Sequence, residues 1–235
     1  MVWVAGVDGC KKGWFRASRE TGSGELCFHL VERARDLIDI APRPKVLAID
    51  IPIGLTEAGS RECDLRARVC LGWPRRCSVF PAPIRAALHA ASRKEASEIR
   101  RRRDGRGVSA QAWGIYKKIG EIDELLRSDT DARRRIREAH PEVCFWSWSG
   151  GRAMQASKKT RAGKEERSRL ATDWLGSNVL ELARGSWLKK HVADDDILDA
   201  IATLWTADRV ERGTAKTLPA APPLDSTGLR MEIVY

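Results

Sequence analysis

The chain has 235 residues, 43% of them hydrophobic, and a formal charge of +10. That is enough for one sizeable α/β core or two small ones, and too hydrophobic for a disordered chain. No apolar run approaches the roughly 20 residues of a membrane helix, and the opening MVWVAGVDG lacks the charged n-region of a secretory signal, so a cytoplasmic protein without membrane contacts is expected.

Residues Val2 to Val7 form a nearly unbroken apolar run ending at Asp8-Gly9. Trp14 to Ser18 and Leu26 to Val31 follow, separated by the turn Thr21-Gly22-Ser23-Gly24, and the three together predict a meander. Glu32 to Ile40 has helical spacing, Pro42 and Pro44 break it, and KVLAIDIPI (Lys45 to Ile53) predicts a fourth strand. Residues 54–107 then read as an insertion or lid within a single domain, with helices over Arg61 to Leu71 and Ile84 to about Arg103 around the loop SVFPAP. Ser109 can cap a helix carrying Ala112, Ile115, Ile119, Ile122 and Leu126 on one face. Glu142 to Trp146 is predicted as a short strand, Glu165 to Leu175 and Asp194 to Val210 as helices, and Met231 to Tyr235 as a last strand. The six cysteines form no CxxC pair, so neither disulfides nor a zinc site is expected, and the seven-residue spacing of Cys63, Cys70 and Cys77 reads as helical packing.

The carboxylates are the chemically informative residues. Asp is disfavoured within strands, and a buried carboxylate either takes up a proton or finds a cation. Yet Asp8 follows VWVAGV and Asp50 lies between VLAI and IPI. Taken alone, each reads equally well as a turn residue; two such aspartates at the ends of apolar strands favour a shared site. In ADDDILDAIA, helix capping accounts for Asp194 to Asp196. Asp199 is one turn further, about 60° around the axis from Asp196 and about 40° from Asp195, so two or three carboxylates share a helix face. Such a set offers hard oxygen ligands to Mg²⁺ or Mn²⁺, and two such ions can promote hydrolysis of a phosphodiester. The four histidines have no partner motif for Ser-His-Asp or Cys-His chemistry.

The excess of Lys and Arg makes a polyanion such as DNA or RNA the expected partner. Arg75, Arg76 and Ser78, and Lys158 and Lys159 within Ser157-Lys158-Lys159-Thr160, are candidate phosphate contacts, with solvated loop charge the equal alternative. Arg100 to Arg103 reads as a solvated helix face. Of the nine tryptophans, Trp3, Trp146 and Trp205 fall in apolar patterns and are assigned to the core.

The segments VDGCKKGW, IDIPIGL, SVFPAP, QAWGIYKKI, HPEVCFW, SKKT, DDDILDAIATLWTA and GLRMEIVY run nearly end to end and resemble the domain of unknown function 429 family, described as predicted RNase H-like nucleases. The resemblance implies an α/β RNase H-like fold, a mixed sheet flanked by helices with a helical insertion after the fourth strand. It also implies an acidic catalytic set of Asp8, Asp50, Glu142, Asp196 and Asp199, with Asp8, Asp50, Asp196 and Asp199 as metal ligands. His140 is a candidate proton carrier beside Glu142. The spacing D-x-x-D-A-x-A is similar to the last helix of RuvC-type resolvases. The expected function is therefore a metal-dependent nuclease. Its alternatives are a non-catalytic scaffold that binds nucleic acid or protein and a phosphate-handling ATP binder; the oligomeric state is open.

Overall fold

The computed structural model describes residues 1–185 and 187–235. Its strands are β1 (Trp3–Cys10), β2 (Gly13–Glu20), β3 (Leu26–Val31), β4 (Val46–Ile49), β5 (Ile136–Glu138), β6 (Thr217–Leu218) and β7 (Ile233–Val234). The helices are α1 (Asp36–Asp39), α2 (Glu62–Leu71), α3 (Arg93–Asp104), α4 (Ala110–Gly114), α5 (Tyr116–Ser128), α6 (Thr130–Arg135), α7 (Pro141–Trp148), α8 (Arg161–Leu175), α9 (Val179–Arg184) and α10 (Asp194–Glu211). Two short 3-10 turns, Arg75–Ser78 and Arg85–Ala87, lie between α2 and α3.

Five strands form one mixed sheet in the order β3-β2-β1-β4-β5. The meander β1-β2-β3 is antiparallel, whereas β4 runs parallel to β1 and β5 parallel to β4. Because strand side chains alternate, each strand feeds two cores. Val4, Phe15, Ala17 and Ala48 pack under α7, α8 and α10 on one face; Ala5, Val7, Trp14, Leu47 and Ile49 pack under α1 and α5 on the other. A smaller sheet pairs β6 with β7, and Val234 bridges back to Ala139 beyond β5.

Helix α10 lies across the centre of the sheet, and its approach depends on one residue. A methyl group on Gly6 of β1 would overlap the backbone of Ala200 and Leu204. No side chain fits there, so the sheet and helix meet backbone to backbone.

Several elements differ from expectation. Glu142 to Trp146 is not a strand but the core of α7: PEVCFWSW is apolar on most sides, and a short buried run of that kind has no period to separate helix from strand. Pro141 at the first helical position, where its missing N–H is no loss, marks the true start. The strand of this region is the shorter, more polar β5 just upstream. The helix expected from Ile84 begins only at Arg93, where Ser92 accepts the N–H of Glu95 at 3.2 Å as a cap. Arg101 to Arg103 are exposed, but Arg100 turns inward, 2% exposed, and donates to the Ala82 carbonyl at 3.3 Å. The expected last strand shrinks to Ile233–Val234. Trp3, Trp146 and Trp205 are half-buried at the core's edge, whereas Trp14 is fully enclosed.

Gly6→Ala is expected to lower unfolding free energy by about 2–4 kcal/mol, because the clash is with backbone that cannot turn aside. Denaturant titration checks this; an unchanged midpoint would contradict the close approach of α10.

Candidate functional site

Alternation along β1 fixes the first carboxylate. Gly6 faces α10 at Ala200 and Leu204, so Asp8, two residues on and on the same face, meets the preceding turn of that helix, where Asp199 lies. Asp50 follows β4 immediately, and its N–H donates to the Val7 carbonyl at 2.9 Å, extending the parallel register by one residue. It shares a face with Ala48, the α10 side. Two adjacent parallel strands and one helix thus bring Asp8, Asp50 and Asp199 together at the strands' carboxyl ends, where open α/β sheets form their ligand crevices.

These three aspartates line a cavity of about 690 Å³ together with Glu142 and His140. Its wall also carries Lys11, Arg75, Ser78, Lys118, Lys158 and Lys159. Four of the five expected catalytic carboxylates and four of the five expected phosphate contacts therefore share one cavity. Asp196 is not among its lining residues: its carboxylate accepts the Ala193 N–H at 2.8 Å and closes the start of α10. Arg76 is exposed and also outside the lining.

Crowding of like charge shows in the acidities. Burial, then the charges of Asp50 and Asp199, push the Asp8 carboxyl well above the usual carboxylate range. Asp50 is pushed up to about 6, by burial first and by Asp199 and Glu142, against the opposing pull of His140 and Lys158. The Lys158 ammonium bonds to Asp199 and lies 4.0 Å from Asp195. Burial would lower its pKa, but Asp199, Asp8 and Asp50 together raise it and keep it charged. Lys159 pairs with Asp195 at 2.5 Å.

On the α7 side, Glu142 is 6% exposed; its Oε1 accepts from Arg167, while Oε2 has no partner. His140 places Nε2 3.3 Å from the Ser78 carbonyl and leaves Nδ1 unpartnered. A buried carboxylate oxygen without a donor is rare enough to require an explanation. The hard oxygens of Asp8, Asp50 and Asp199 and the open Oε2 of Glu142 are of the kind a divalent cation takes, although no three of these donor atoms lie within 4.8 Å of one another, so the side chains would draw together around it.

A second acidic cluster lies deeper and is of another kind. Among the described residues, Cys63, Asp64 and Glu138 are the one set of potential metal ligands whose donor atoms all lie within 4.8 Å of one another. The Arg61 guanidinium already fills it, bonding Glu138 through both terminal nitrogens at 2.6 Å and Asp64 at 2.6 and 3.1 Å, with all three side chains at most 4% exposed. Glu138 also accepts the Ile53 N–H at 2.6 Å. This is a saturated structural ion-pair network. Sequence reasoning missed Glu138 because it placed the strand six residues too late, and missed Lys118, which shares a helix face with Ile115, Ile119 and Ile122. Lys118 lies 4.3 Å over the Trp14 ring and lines the cavity.

Two outcomes are expected. Arg61→Met, which strands two buried carboxylates, should destabilise the fold by about 3–5 kcal/mol in denaturant titration. Asp50→Asn should have the opposite effect in metal-free buffer. The raised folded pKa means that stability present at pH 4 is lost as pH rises through about 6. The variant should thus match wild type near pH 4 and exceed it by about 1–2 kcal/mol at pH 8, a figure discounted because the group is only partly buried. A pH-independent difference would contradict the crowding.

No curated protein and no solved structure matches the chain. A family model described as Protein of unknown function (DUF429) matches residues 6–224, a span that includes Asp8, Asp50, Glu142 and Asp199. With nearly the whole length covered, the chain belongs to the domain of unknown function 429 family.

Proposed function

We propose that the protein is an RNase H-like nuclease that hydrolyses phosphodiester bonds of DNA or RNA with Mg²⁺ or Mn²⁺. The observation that carries this reading is the convergence of Asp8, Asp50, Glu142 and Asp199 in one cavity walled by Lys11, Arg75, Lys118, Lys158 and Lys159. The meander followed by parallel β4, with helices on both faces, supports the RNase H-like assignment.

A divalent cation bound to these carboxylates would supply Lewis acidity towards the phosphate and the attacking water. The chain's own residues do the rest. Lys118, Lys159 and Arg75 hold phosphate oxygens by charge-assisted bonds and fix the scissile group over the aspartates. Glu142 would help hold the cation through its open Oε2; solvent takes the proton of the attacking water as the water oxygen bonds to phosphorus, the bond to the leaving oxygen breaks, and that oxygen takes a proton from solvent. The basic wall follows a sugar-phosphate backbone without reading its sequence.

The test is cleavage of single-stranded, duplex, hybrid and branched DNA and RNA with Mg²⁺, Mn²⁺ or chelator. Metal-dependent cutting is expected, with Asp8→Asn and Asp199→Asn each lowering the rate at least ~1000-fold, the scale of several kcal/mol of lost transition-state stabilisation. Tight binding without cutting of any substrate, unchanged in both variants, would replace the nuclease with a scaffold.

A further inference from the structure

We infer that the Lys158 ammonium takes the place of a second metal ion, so that this site binds one divalent cation per chain rather than two. The inference rests on the metal-dependent reading above and concerns how the carboxylates divide between a fixed cation and a bound one.

Three observations support it. First, Lys158 reaches the carboxylates: its side chain is 37% exposed, but its ammonium bonds to Asp199 and lies within ion-pair distance of Asp195. Second, it is held there by its backbone. Ser157 to Thr160 form a turn closed by the Thr160 N–H on the Ser157 carbonyl at 2.9 Å, and Thr160 caps α8 by accepting the Gly163 N–H at 3.1 Å. Gly163 lets the turn lie against the helix, since a methyl group there would overlap the Ser157 carbonyl. The buried Arg167 holds the Ala156 carbonyl at 3.2 Å and bonds to Glu142. One framework therefore fixes both the lysine and the glutamate. Third, Glu142 Oε2 is a buried acceptor without a partner, an opening for an added ligand that Lys158 does not fill.

The charges agree. Asp8, Asp50, Glu142 and Asp199 bring four negative charges, and Lys158 and Arg167 return two positive ones; Asp195 is paired with Lys159, and Asp196 faces the amides opening α10. Among the groups in direct contact one divalent ion balances the remaining two, whereas a second would have to settle against the Lys158 ammonium, with Lys11, Arg75 and Lys118 adding positive charge on the same wall. At a separation of a few ångströms such repulsion is strong even in a partly hydrated cleft.

The deciding measurement is Mn²⁺ stoichiometry and affinity, by calorimetry and by electron paramagnetic counting of bound ion, on the full chain. Wild type should bind one Mn²⁺. Lys158→Met should bind two, or bind its first at least about tenfold more tightly, whereas Lys158→Arg, which keeps the charge, should stay at one with near wild-type affinity. Two ions in wild type would overturn the inference, as would a Lys158→Met protein that folds, by circular dichroism, and binds one ion with unchanged affinity. No Mn²⁺ bound by folded wild type would instead overturn the metal-dependent reading itself.

Discussion

The backbone contact between β1 and α10 at Gly6 is the constraint on which the rest of the molecule depends. A helix can deliver a short aspartate side chain to a strand's carboxyl end only if the two backbones come close, and here no side chain separates them. The alternation of β1 and the rise of the helix then set Asp8 against Asp199 without further adjustment. The parallel pairing of β4 with β1 adds Asp50 by the same logic, one residue past the last paired position. The site is thus a consequence of register, and any slip in β1, β4 or α10 would disperse it.

Two acidic clusters on the wall of one cavity illustrate opposite solutions to the same electrostatic problem. Asp64 and Glu138 are matched by Arg61 with near-complete hydrogen bonding, and nothing is left for a ligand to satisfy. Asp8, Asp50 and Asp199 are under-matched: Lys158 neutralises part of their charge, burial and repulsion raise the pKa values of Asp8 and Asp50, and Glu142 keeps an oxygen free. Burial raises Glu138 to about 7 as well, so what separates the clusters is the open carboxylate oxygen, which marks a functional site far better than a tight, satisfied ion pair does.

Helices between β4 and β5 supply much of the cavity wall, Arg61 and Lys118 among them, while the turn preceding α8 brings Lys158 and Lys159 from the other side. The acidic floor belongs to the central sheet and α10, and the basic wall largely to the connections around it. A rigid floor carrying chemistry and connections carrying recognition is a common division of labour in α/β proteins.

The strand aspartates and the acidic helix were legible in the sequence because a charged residue in an apolar run violates local preference, and such violations are visible without a structure. The meander, the fourth strand and the α10 stripe were legible for the complementary reason, that their periods are strong. Glu142 was singled out, but on the wrong element, since an apolar run as short as VCFW has no readable period. Other features depended on distance between segments far apart in the chain: that Lys158 enters the carboxylate cluster, that Arg167 anchors both its turn and Glu142, that Arg100 turns inward, and that Arg61 closes over Glu138. Local sequence determined which residues were chemically conspicuous. Only the tertiary structure decided which opposite charges met, because ion pairing depends on the final separation and burial of groups brought together by packing.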